Sequence, residues 1–420
     1  MKLILKIFFL IIFTVSLIFA DNINLPHKNT NNISKKLSRK IKKDPEKNIQ
    51  QLVNHLINGV NDDFEKVKVL HDWVALNIEY DIQGYFGNSK IEYDPYDVMK
   101  SGKSVCEGYS NIMKTLCDLA KIECVKISGY GRGVGFNIFS EIEKLQPNHA
   151  WNVVKIKNKW YLVDATWDAG HLDGKKFKRK YSTNYLFLEP EKFIYTHFPE
   201  DSKWQLLKKS INFKKFKTLP FLGNGFFSNG LEIGDKYSLI TNTKKSYKMI
   251  FKSSKDIQVS AVLSDNNGKK YPDNAIIQRD GEKFIVNIIF PKKGKYIFGL
   301  YVKSDPKDNQ FTEVARFGFV TKSGLTSGFP KLYGPYFENN CFINNPLQSP
   351  LKKNSNVKFD IKIDNIDNLG VKIDGKFIEL MKNINGKFTG EEKITGKKVV
   401  LYYLDNKTNQ YNFICEWSVK

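Results

Sequence analysis

Ser104-Val105-Cys106-Glu107-Gly108-Tyr109-Ser110, with Asn148-His149-Ala150-Trp151-Asn152 and Leu162-Val163-Asp164-Ala165-Thr166-Trp167 further on, decides how this 420-residue chain is read. Serine followed three residues later by glutamate is a capping-box pattern, with Ser104 at the N-cap. Beyond it Val105, Tyr109, Ile112, Met113, Leu116 and Ala120 recur at helical spacing. The pattern predicts a helix with Cys106 in its first turn. Backbone N–H groups there lack intrahelical acceptors and the helix dipole favours negative charge, which suits a thiolate nucleophile. A cysteine alone is more often a small core residue; here a histidine and an aspartate follow at informative positions.

Two apolar-rich runs, 149–156 and 159–166, flank Lys157-Asn158 and read as a β-hairpin, Asn158 tolerating the positive φ of a tight turn. With that turn Ile156 pairs with Lys159, and Trp151 falls opposite Asp164. His149 and Asp164 become diagonal neighbours on one face, within reach of an imidazole–carboxylate hydrogen bond. A slip by one residue would put them on opposite faces. The chemistry this implies is nucleophilic acyl transfer. Cys106 attacks an acyl carbon, His149 takes its proton and returns it to the leaving amine, and Asp164 holds the histidine tautomer. The Cys106 backbone N–H is the expected first oxyanion donor; Tyr80 and Trp151 are the candidates for the second.

At these residues, and at Ser128-Gly129-Tyr130 and Phe193-Ile194-Tyr195-Thr196-His197-Phe198-Pro199-Glu200-Asp201, the sequence resembles the transglutaminase-like superfamily. More narrowly it is similar to the kyphoscoliosis peptidase branch, over about residues 45 to 215. The resemblance implies a papain-like α+β fold with nucleophile Cys106, base His149 and orienting Asp164, the trio reached from the residues alone. It also implies peptide or amide acyl chemistry, hydrolysis and transfer to an amine both remaining open. Some members of the family are inactive or scaffolding proteins.

Residues 1–20 have lysines at positions 2 and 6, a short apolar core and Ala20 before Asp21, the pattern of a secretory signal peptide. The expectation is an exported protein, secreted, periplasmic or at the cell surface. Net charge is +22, nearly all from lysine with five arginines spread along the chain. Without a clustered arginine–aromatic patch, nucleic acid is not an expected partner; weak adsorption to an acidic polymer such as a cell wall or anionic lipid is the more plausible use of the charge, and a solvated surface more plausible still. Five cysteines is an odd count, which suits one free reactive thiol. Cys117 with Cys124 and Cys341 with Cys415 are the conceivable pairs, Cys117 and Cys415 also reading as small core residues. His55, His71 and His171 form no ligand spacing with the cysteines, so neither metal nor cofactor is expected.

Along the chain, residues 21–44 are polar, rich in Asn and Lys, and expected to be disordered. Helices are expected at 46–58 and 63–78, the second capped by Asp62 or Asp63, and a strand at 122–129. Gly129, Gly131, Gly133 and Gly135 read as a mobile loop beside the site, with Arg132 at its tip either touching substrate or solvated. His197, among aromatics, reads as a packing residue. After residue 215 short alternating strands dominate. Asp305, Lys307, Asn309, Gln310, Phe311, Val314 and Phe317 recur as Asp405, Lys407, Asn409, Gln410, Tyr411, Ile414 and Trp417. Two copies predict two immunoglobulin-like β-sandwiches, at 216–323 and 324–420, after a catalytic domain at 45–215. The sequence thus predicts an α+β cysteine-triad domain followed by two β-sandwiches: an acyl enzyme acting on a protein or peptide. The competing class is a non-catalytic adhesion or scaffold protein with a relic triad. Composition carries no signal for oligomeric state.

Overall fold

The computed structural model describes residues 25–133, 135–140, 146–303, 310–382, 386–405, 408 and 410–420. The expected signal peptide, and repeat positions Asp305, Lys307, Asn309, Lys407 and Asn409, lie outside the described residues. The chain divides into two compact units. The first runs to Phe216 apart from Asn137–Ser140; the second comprises Asn137–Ser140 with Lys217–Lys420.

The first unit opens with α1 (Lys28–Asn31), α2 (Lys35–Lys43), α3 (Pro45–Leu56) and α4 (Asp63–Asn77). The expectation of disorder over 21–44 is therefore corrected for the residues described. Ser34 caps α2 by accepting from Leu37 N, and Ile33, Leu37 and Ile41, four residues apart, form a narrow apolar stripe against the core. Average polarity hides so thin a stripe among the lysines. Asp44 then caps α3, with Pro45 in its first turn, and Asp62 caps α4 through Phe64 N and Glu65 N.

After α4 come β1 (Glu79–Tyr80), α5 (Ile82–Tyr85), α6 (Pro95–Ser101), β2 (Lys103–Ser104) and α7 (Cys106–Leu119). Helix α7 starts where its spacing predicts, but the capping box does not form. Strand β2 pairs with β1 in parallel, Tyr80 opposite Ser104, and this commits Ser104 to the ladder. Its Oγ donates to Glu92 O at 2.5 Å, Glu107 pairs with Lys126, and Val105 becomes the N-cap, with no side-chain bond. Gly108 is required because a Cβ there would meet the Ser104 Oγ at 2.1 Å.

Strands β3 (Cys124–Gly131), β4 (His149–Ile156) and β5 (Lys159–Val163) follow, then α8 (Ala165–Ala169), the hairpin β6 (Gly170–Asp173) and β7 (Lys176–Arg179), α9 (Pro190–Phe193) and β8 (His197–Pro199). The sheet is antiparallel in the order β5-β4-β3-β8. Lys157 and Asn158 both have positive φ and Ile156 pairs with Lys159, the register read from the sequence. Strand β5 stops at Val163 rather than 166 because Asp164 turns the chain into α8. Helix α7 packs on β3 and β4, pinned by buried Asn152, whose Nδ2 donates to Ser110 O at 3.0 Å. Leu52, Leu70, Ile112, Leu116 and Val154 meet in the core between them.

The second unit is two β-sandwiches with the same strand layout. In the first, Ser246–Lys252 and Lys283–Ile289 centre one sheet, and Gly294–Lys303 and Thr312–Thr321 the other. In the second, Asn356–Lys362 with Lys387–Lys393 and Lys398–Asp405 with Gln410–Ser418 take those places. Phe317 and Trp417, and Ala315 and Cys415, are buried at equivalent positions, as the repeat implies. Asn137–Ser140, expected within the catalytic domain, belongs to this unit: Ile138 is buried against Gly318, where a Cβ would meet it at 2.6 Å.

If α2 is part of the folded unit, Ile41→Ala, which removes a side chain only 4% exposed, should lower stability by about 2 kcal/mol. Lys36→Ala on the same helix should stay within about 0.5 kcal/mol of wild type. Urea denaturation of the two variants checks this.

Candidate active site

Each of the three expected residues is delivered by a different element. Cys106 is the first residue of α7, His149 the first of β4, and Asp164 the cap of α8. His149 Nε2 lies 2.6 Å from Asp164 Oδ2. That leaves Nδ1 open to the Cys106 thiol, whose interaction with the same imidazole helps to raise its pKa. Gly131, on the neighbouring strand, is what lets the ring lie there, since a Cβ would come within 2.9 Å of His149 Cβ. Trp151 stacks at 5.9 Å and Trp167 lies at 5.1 Å, so the ring is held between indoles with its side chain 7% exposed.

Asp164 is fully committed. Oδ1 accepts from Thr166 N at 2.9 Å and Trp167 N at 3.1 Å, the capping bonds of α8. Oδ2 accepts from His149 and also from His197 Nε2 at 3.1 Å. Burial opposes charge on every member of this set. The Asp164 carboxylate outweighs it for His149, with help from Cys106, and raises that imidazole to about 10. For His197 burial wins, and the ring is pushed down to about 4, neutral at ordinary pH. Burial also works against the Asp164 carboxylate, but the two imidazoles hold it well below the usual range. His149, Asp164 and His197 lie close enough to suggest a metal site. Ligands about 2.0–2.1 Å from a tetrahedral metal stand roughly 3.3 Å apart, so the 2.6 Å contact is a hydrogen bond, not a shared metal.

Tyr80, placed beside Ser104 by the β1–β2 ladder, keeps its proton: burial and then the Cys106 charge push the phenol up. Trp151, the other candidate donor, stacks on His149 from within a small core of Ile127, Val153, Leu162 and Phe193, and its buried Nε1 has no hydrogen-bond partner among the described residues. Arg132 corrects its expectation. It is 2% exposed, lies 4.2 Å over the Phe216 ring, and donates to Phe216 O and Tyr195 O, so it is neither solvated nor free for substrate. Gly129 and Gly131 are strand residues, not loop. All five cysteines are free; Cys106 alone is partly exposed, the other four being buried.

Sequence reasoning assigned His197 to packing. It does stack on Phe193 at 3.9 Å, but its Nε2 bond to Asp164, across 33 residues, leaves no local signal. A second buried cluster was also missed. Asp168, four residues after Asp164, accepts from His71 Nε2 at 3.1 Å and Tyr185 N at 2.9 Å. His71 Nδ1 lies 3.2 Å from Asp72 Oδ1, and Asp72 also accepts from Lys68 Nζ at 2.6 Å and the Tyr181 hydroxyl at 2.7 Å. Burial opposes the His71 charge, and the two carboxylates outweigh it, to about 9.

Comparison with known proteins bears on what this trio belongs to. Residues 50–165 match the transglutaminase-like superfamily, and residues 213–326 match a KY-like, immunoglobulin-like domain. The chain pairs a transglutaminase-like domain with a KY-like one. Kyphoscoliosis peptidase of Mus musculus is 30% identical over 185 residues, 44% of this chain and 28% of that protein. The Homo sapiens protein of the same name is 31% identical over the same shares. Hillarin of Drosophila melanogaster is 27% identical over 214 residues, 47% of this chain and 25% of that one. The matched region is thus under a third of each relative. The transglutaminase-like match contains Cys106, His149 and Asp164; His197 lies beyond it.

The histidines set a pH optimum for stability. His149 and His71 bind protons more tightly folded than unfolded, where the value is ~6.5. Their contribution is complete below ~6.5 and lost as pH rises through about 9 and 10. His197 acts oppositely, costing stability as pH falls from ~6.5 towards 4. The urea midpoint should therefore peak near pH ~6.5. A midpoint that climbs steadily to alkaline pH would contradict these assignments.

Proposed function

We propose that this protein is an exported acyl enzyme working through a thioester on Cys106, in the first instance a peptidase on protein or peptide substrates. The observation that carries the reading is the His149 imidazole, bonded to Asp164 at 2.6 Å on one side with the Cys106 thiol on the other. An imidazole raised to about 10 is protonated at neutral pH and can hold the thiolate as an ion pair.

In acylation, Cys106 Sγ bonds to the carbonyl carbon of a peptide or carboxamide, and the C=O electron pair moves onto oxygen. The oxyanion is met by the Cys106 N–H at the start of α7 and by the protonated Tyr80 hydroxyl. Collapse breaks the C–N bond, and the leaving amine takes the His149 proton. Water, giving a proton to the now neutral His149, then attacks the thioester and releases the acid and the Cys106 thiolate. A primary amine in place of water gives transfer instead. Asp164 keeps Nε2–H in place throughout, so Nδ1 always faces the sulfur. The name of the mouse and human relatives supports peptidase chemistry as the first to test. Export is supported by the pattern of residues 1–20, and an acidic surface polymer as partner by the chain's +22 charge.

A thiol-directed peptidyl probe should label the wild type at Cys106 and leave Cys106→Ala unlabelled, as read by intact mass. Failure of the wild type to label, while a small alkylating agent reaches Cys106, would favour a scaffold with a relic triad. Asp164→Asn retains an oxygen to cap α8, so it should fold. Its labelling should slow by less than the ~10⁴-fold of the serine-protease precedent, because Cys106 still favours the imidazolium when the carboxylate is gone. Labelling at the wild-type rate would make Asp164 structural.

A further inference from the structure

We propose that His197 is a positioning residue of this site: a neutral imidazole whose Nε2–H shares Asp164 Oδ2 with His149 and so fixes both the carboxylate and the proton affinity of the base. It rests on the acyl-enzyme reading only for its effect on rate. A carboxylate oxygen only accepts, so the 3.1 Å contact requires the proton on His197 Nε2. Nδ1 is then an acceptor, and the Thr196 hydroxyl, 2.9 Å away, donates to it in preference to Phe193 O at 3.3 Å. That bond selects the tautomer, as a second partner does for any histidine with a fixed role.

The ring cannot turn to do anything else. It is fully buried, stacked on Phe193 at 3.9 Å, against Trp167 at 4.3 Å and edge-on to Trp151 at 5.1 Å. It therefore reaches no substrate and acts only through Asp164. The titratable groups that face it are Asp164 at the start of α8, His149 on β4 and Tyr185, with Cys106 beyond His149. A second imidazolium on the same carboxylate would leave a buried net positive charge, which burial disfavours.

A neutral donor on Oδ2 spreads the negative charge that His149 feels. Without it Asp164 binds the His149 proton more tightly and can swing about its remaining bonds. The base then gives up its proton less readily and sits less squarely on the sulfur.

The test follows His149 directly, by ¹⁵N NMR of histidine-labelled full-length protein, together with the probe's maximal labelling rate and half-saturating concentration. In His197→Leu the His149 midpoint should rise by about one pH unit and maximal labelling should fall about tenfold, with half-saturation unchanged. His197→Gln, whose amide N–H can donate to Asp164, should restore both. Thr196→Val, which frees the tautomer without removing the ring, should shift the midpoint the same way and decides the matter if His197→Leu does not fold. An unmoved or lowered midpoint in the folded variants would overturn the proposal and leave the acyl-enzyme reading intact. If the wild type does not label at all, that reading fails, and the His149 midpoint still decides the role of His197.

Discussion

The Asp164 carboxylate is the constraint around which the first unit is organised. Buried completely, it must find a donor for each lone pair or leave the ionised form, and it finds four. Two are backbone N–H groups, which turn the chain from β5 into α8. Two are imidazoles, which bring β4 and β8 to the same oxygen. One carboxylate thereby ends a strand, starts a helix and orients the His149 imidazole.

Helix α8 is only five residues long, yet buried ionic clusters hold both ends. Asp164 ties its start to His149 and His197; Asp168 ties its end to His71 on α4, with Asp72, Lys68 and Tyr181. A helix this short has little stability of its own, so tertiary bonds must hold it. The N-terminal segment joins the second cluster, His27 N donating to Asp72 at 2.7 Å and Lys68 to Leu25 O at 2.6 Å. The lysine-rich stretch before the matched region is thus bonded into the cluster that steadies α8.

The transglutaminase-like match takes in Cys106, His149 and Asp164 and the KY-like match follows it, while the kyphoscoliosis peptidases and hillarin are each matched over under a third of their length. The second β-sandwich repeats the first in strand layout and in the burial of its strongest repeat positions, Phe317 with Trp417 and Ala315 with Cys415. Its core cluster also takes in Ile276 and Ile289 of the first sandwich, and Tyr336 donates to Ile277 O at 3.0 Å. The two sandwiches share packing as well as pattern.

What the sequence determined alone are the features written at short range. Apolar residues at helical spacing located α3, α4 and α7, because one face of each must be buried. A two-residue turn tolerant of positive φ set the β4–β5 register, and with it the placing of His149 and Asp164 on one face, since side chains alternate along a strand. The β-repeat was legible for the same reason. What only the tertiary structure decided are partners chosen across distance. Ser104 became a strand residue because β1 lay beside it; Arg132 was buried by Phe216; α2 folded because a core was there to receive Ile33, Leu37 and Ile41. His197 joined Asp164 because β8 runs alongside β3 in the same sheet. No local pattern encodes such pairings: a hydrogen bond between residues 33 apart depends on where both strands lie, and that is settled only when the whole core packs.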